Sequence, residues 1–100
     1  MKDFRTFNLA VDFYHICSKL QMGRVLRDQL QRAASSIALN LAEGRGKSSV
    51  REQRRFFDIA MGSPRECQAI LILERLTDTE AWMVLDSLGA HLYRLIQKSG

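Results

Sequence analysis

What this sequence has little of narrows it first. One proline and six glycines in 100 residues leave little material for turns, so few, long elements are expected. No apolar run approaches the ~20 residues needed to span a bilayer. No stretch alternates with the two-residue period of a half-buried strand, and no internal repeat or low-complexity tract is present. The opening stretch, MKDFRTFNLAVDFYHI, carries Asp3 and Asp12 and lacks a signal-peptide cleavage pattern; a cytoplasmic location is therefore expected. Cysteine is limited to Cys17 and Cys67, far apart and each among apolar neighbours. They read as reduced core thiols.

Catalytic signatures are scarce too. Gly46-Lys47-Ser48 matches the end of a phosphate-binding loop, but the first glycine of that motif would fall on Leu41, and a helical pattern precedes it. No glutamate is followed by histidine three residues later, as a di-iron bundle requires. His15 and His91 read as ordinary helix residues, and no Cys–His or Ser–His pair has the local context of a nucleophile. The expectation is a protein that is not an enzyme, with no metal, no cofactor and no small-molecule substrate.

What is present points to helices. At 46% hydrophobic and 26% charged, residues 1–100 read as one globular domain. Leu26, Leu30, Ala33, Ala34, Ile37, Ala38 and Leu41 recur at three- and four-residue steps and fill an arc of about 140°. That defines a second helix over about Val25 to Glu43, after a first over about Thr6 to Leu20. In the first, Leu9, Phe13, Ile16, Cys17 and Leu20 form one face, and Phe4, Phe7, Val11 and Tyr14 another. Gly23 is a candidate left-handed C′ residue, and Gly44 and Gly46 are expected to supply positive φ at the exit of the second helix. Ser49 and Glu52 form a capping box that opens a third helix carrying Phe56, Phe57, Ile59, Ala60, Cys67, Ile70, Leu71 and Leu73. Ser63-Pro64-Arg65-Glu66 is a second capping box with proline at the first helical position, so local rules permit a break. No loop residues separate Met61 from Ser63, and one long helix kinked at Pro64 is the better reading. Thr77 and Glu80 mark the last helix start. It runs to about Gln97, with Ala81, Leu85, Leu88, Leu92 and Leu95 as a heptad seam.

Four helices with short connections predict an all-α, antiparallel up-down-up-down four-helix bundle. Apolar side chains are in surplus for such a bundle. Leu39 lies opposite the core direction, the run Ala69 to Leu73 is apolar all round, and Trp82, Gly89, Tyr93 and Ile96 make a second seam. Surplus of this kind marks subunit interfaces, so a homo-oligomer is expected.

Two polar features stand out. Arg32, Ser36, Asn40 and Glu43 form a stripe beside the apolar arc of the second helix. With Ser63 and Glu66 they read as a structural polar network that fixes the register of helices two and three. A partner-binding surface is the other reading, and no nucleophile or metal ligand accompanies them. The second feature is charge. Arg45, Lys47, Arg51, Arg54 and Arg55 face only Glu52 within residues 44–55, which places the whole net charge of +4 in that segment. Cations at a helix N-terminus oppose the helix dipole at some tenths of a kcal/mol each. The same arrangement suits an incoming phosphate. A merely solvated charged turn is the plain alternative.

The middle of the chain also resembles a known family. Q-L-x-R-A-A-x-S-I-x-x-N-x-A-E-G over Gln29 to Gly44, a basic Gly/Ser turn, and then R-x-F-x-x-I-A-x-G-S-x-x-E resemble proteins encoded in intervening sequences of bacterial 23S rRNA genes. The matching positions are Arg32, Ala33, Ala34, Ser36, Ile37, Asn40, Ala42, Glu43, Gly44, Ile59, Ala60, Gly62, Ser63 and Glu66. Leu41 departs from the usual isoleucine, and Pro64 from a helix-compatible residue. The resemblance implies an antiparallel four-helix bundle assembled as a homopentamer. It also brings in relatives that serve diversity-generating retroelements as accessory subunits, binding nucleic acid and a reverse transcriptase. For the ribosomal-gene branch it implies no biochemical activity. Two functions follow as expectations: a binder of RNA or DNA, with structured RNA such as rRNA foremost, or a protein–protein scaffold.

Overall fold

In a computed structural model that describes residues 4–99, periodicity and capping resolve into four helices: α1 (Arg5–Ser18), α2 (Arg24–Arg45), α3 (Val50–Leu73) and α4 (Glu80–Ser99). Residues 1–3 and 100 lie outside the described residues, Asp3 among them. Each helix packs on the next in the chain and α1 also packs on α4, while α1 and α3 have no Cα atoms within 8 Å of each other. The result is an all-α four-helix bundle with α2–α3 as its most extensive contact. Its 40 Å length follows from α3, whose 24 residues rise about 36 Å at 1.5 Å each. No described helix is long and apolar enough to cross a membrane.

The core comes from one stripe per helix. Leu30, Ala33, Ala34, Ile37 and Leu41 of α2 face Phe57, Ala60, Cys67, Ile70 and Leu71 of α3, and Ala81, Leu85, Leu88 and Leu92 of α4 close it. In α1 the buried stripe is Thr6, Ala10, Phe13 and Cys17, which runs between the two predicted faces. Cys17 and Cys67 are both free and fully buried. Burial pushes both thiols up to about 12. Since α1 and α3 stay more than 8 Å apart at Cα, a disulfide between them would require the backbone to move.

Several chain reversals differ from the sequence expectation. Gly23 is extended, with φ −62° and ψ 149°, and precedes α2 instead of ending α1. No described glycine has positive φ. Gly44 lies inside α2 and Gly46 follows it with φ −78°. What requires glycine at position 44 is space: a Cβ there would lie 2.7 Å from Cε1 of the buried Phe57 ring and 3.1 Å from the Gln53 carbonyl. The close approach of two helices, not a turn, is the reason.

Helix α3 runs unbroken through Pro64, whose ring is buried. The second capping box is therefore not used, because tertiary burial of Pro64 and its neighbours outweighs the local stop signal. At its end, Arg75 adopts φ 57°. The Leu76 N–H donates to the Leu71 carbonyl at 2.8 Å and the Arg75 N–H to that of Ile72 at 3.0 Å, which is a Schellman motif with arginine where glycine is usual. The Glu74 carboxylate then accepts the Gly23 N–H at 3.1 Å, tying the end of α3 to the start of α2. The last helix is capped by Thr79, not Thr77: the Thr79 hydroxyl accepts from the Trp82 N–H.

Candidate functional site

The α2–α3 seam carries both polar features. Along it, the Asn40 carboxamide donates to the Ser36 carbonyl at 2.8 Å and to the Ser36 hydroxyl at 3.2 Å. The Ser63 hydroxyl donates to that of Ser36 at 3.3 Å, which bridges the two helices. All three residues are half-buried. Arg32, Glu43 and Glu66 are exposed, and Glu43 turns to Lys47, 3.7 Å away. The structure thus brings Ser36, Asn40 and Ser63 together and leaves the three charged residues at the rim.

That geometry sets the cost of losing the carboxamide. Asn40→Leu leaves the Ser36 hydroxyl without one donor at a half-buried position. Stability should fall by about 1 kcal/mol with the helical spectrum kept. A thermal melt followed by circular dichroism measures it, and an unchanged or raised Tm would show that the seam does not depend on the amide.

At the α2–α3 connection the basic residues converge. Ser49 caps α3, its hydroxyl accepting the Glu52 N–H at 3.1 Å. The Gln53 carboxamide donates to the Lys47 carbonyl at 3.1 Å and pins the turn to the helix. Arg45 lies over the Phe4 ring at 4.5 Å, and Phe4 stacks on Phe7 with centroids 4.9 Å apart. Lys47 and Arg55 lie over the Phe56 ring at 5.2 and 5.8 Å. Arg51, Arg54 and Arg55 are exposed, and among the described residues none of the three has a carboxylate partner. Gln53 and Phe56 were not among the sequence-derived site residues. The signal for them was proximity to the basic turn, which a helical wheel does not encode.

The chemistry available here is electrostatic. The described residues contain no group of three or more metal-ligating side chains. The segment offers guanidinium and ammonium groups on a fixed helical start, which suits a chain of phosphates. A second surface is apolar. Of the predicted surplus, Leu39, Ile72, Leu73 and Tyr93 are more than half exposed, as is Met83, whereas Ile70 and Leu71 belong to the core and Trp82 and Ile96 pack against it.

A family model described as 23S rRNA-intervening sequence protein matches residues 4–97. No curated protein and no solved structure matches the chain.

Proposed function

The chain belongs to the 23S rRNA-intervening sequence protein family, and from that footing we propose that it is a non-enzymatic homo-oligomer that binds structured RNA, rRNA included, through residues 45–55. The observation that carries this reading is the placement of Arg51, Arg54 and Arg55. They are exposed, lack carboxylate partners among the described residues, and stand in the first two turns of α3. Arg51, in the first turn, works against the helix dipole, and Arg54 and Arg55 add further positive charge beside it. Stability does not account for such an arrangement, and an anionic partner does. Assembly supports it: exposed Leu39, Ile72, Met83 and Tyr93 would lie between copies, and each copy adds another basic segment to the same particle. The resemblance implies five copies and a bacterial setting.

The same apolar side chains favour a second reading, a scaffold or accessory subunit that binds proteins and has no nucleic-acid role. Light scattering with and without RNA separates the two. The protein alone should weigh several times its 11.5 kDa chain mass, and the mass should rise with structured RNA at low salt and return at high salt. A strict monomer at micromolar concentration contradicts the assembly. A salt-independent mass with RNA present favours the scaffold.

A further inference from the structure

Phe56 is half-buried, yet it takes no part in the hydrophobic core or in the layer packed against it. Its neighbour Phe57 is fully buried and holds α2 close at Gly44. What lies over the Phe56 ring is charge: the Lys47 ammonium at 5.2 Å and the Arg55 guanidinium at 5.8 Å. A large aromatic ring at a basic helix start, serving no core, has the composition of a stacking platform beside phosphate-binding cations.

We propose that Phe56 stacks an unpaired nucleobase while Lys47 and Arg55 take the flanking phosphates, so that the site selects unpaired nucleotides of a structured RNA over paired ones. This deepens the nucleic-acid reading above and rests on it. The physical argument is an exchange. Cation–π contacts at exposed sites are weak, about 0.5–1 kcal/mol each, whereas a base stacked on an aromatic ring contributes about 1–3 kcal/mol. A base can therefore displace one cation from the ring. The displaced cation, carried on a flexible stem, then reaches the phosphate beside that base. In a duplex the base faces are already stacked on each other and are not offered to a ring, so duplex RNA meets only the cations. Loops and bulges of a folded RNA present the splayed bases that the ring requires.

The test compares two labelled RNAs with equal numbers of phosphates, an unpaired adenine tract and a fully paired duplex, by fluorescence anisotropy. Phe56→Leu keeps every charge. It should weaken binding of the unpaired tract by about 5- to 100-fold, leave duplex affinity unchanged, and leave the salt slope of both unchanged. Phe56→Trp should restore tract binding. A Phe56→Leu protein that binds both probes as wild type does would overturn the stacking role and leave the electrostatic reading standing. Equal loss of both probes without rescue by Phe56→Trp would also overturn it, since the ring would then only position the cations. Wild type that binds neither probe would overturn both readings together.

Discussion

With Arg51, Arg54 and Arg55 all reversed to glutamate, the protein is expected to lose RNA binding and keep its fold. The change turns the net charge of residues 44–55 from +4 to −2. Every copy in an assembly loses three phosphate contacts at once, so the loss compounds through avidity and should reach about a hundredfold or more. The fold is safe for a specific reason. All three side chains are exposed, and acidic residues near a helix N-terminus interact favourably with its dipole, by about 0.3–1 kcal/mol each in the first turn. Tm should therefore hold or rise while binding disappears. A triple variant that binds RNA as wild type does would place the contact elsewhere.

The second large effect concerns packing. Gly44→Ala should lower stability by up to about 2 kcal/mol, the balance of two opposed terms. Alanine is the better helix former by about 1 kcal/mol. Its Cβ, however, would stand 2.7 and 2.9 Å from the Phe57 ring and 3.1 Å from the Gln53 carbonyl, and overpacking a filled core costs about 1–3 kcal/mol. The ring is fully buried and the carbonyl belongs to a helix, so neither yields cheaply. For a 100-residue domain the shift in Tm is about 4–8 °C per kcal/mol. Gly62→Ala is the control. Outside its own turn of α3, nothing lies within 4 Å of a Cβ built there, so the propensity term acts alone and Tm should rise. If Gly44→Ala also raised Tm, the helices would not be held at the separation described.

Much of this architecture was legible in the sequence because α2 and α4 are long and amphipathic. Their buried residues, Leu30 to Leu41 and Ala81 to Leu92, follow the three- and four-residue steps directly. The misplaced features share a cause. Gly44 and Gly46 were expected to bend the chain, but position 44 needs glycine for a contact with Phe57 thirteen residues on in the sequence, and spacing does not show such contacts. Arg75 adopts a left-handed φ with no glycine to announce it, because Leu76 packing against the core fixes the turn. Thr77 was expected to cap the last helix from its spacing to Glu80, but α4 begins at Glu80 and the register puts Thr79 at the cap instead.

The candidate site divides the same way. Exposed charge reads well from sequence, since a run of arginines at a helix start has nowhere else to go. The polar seam reads less well. Arg32 and Glu43 share the α2 stripe of Ser36 and Asn40, and Glu66 the α3 side of Ser63, but long charged side chains reach water where short polar ones stay in the seam. Phe56 lies about 40° from Ala60 on a helical wheel, which suggests core. A wheel gives direction and not height, and near the α2–α3 connection that direction meets Lys47 and Arg55.

The most direct measurement is the affinity of the wild-type protein for a structured RNA across a series of salt concentrations. Binding through residues 45–55 predicts a linear fall of log affinity with log salt. The slope should grow by about 0.7–0.9 for each phosphate neutralised and flatten in the Arg51, Arg54 and Arg55 charge-reversed variant. No binding at low salt, or binding indifferent to salt, would contradict the account and leave the exposed apolar faces as the working surface.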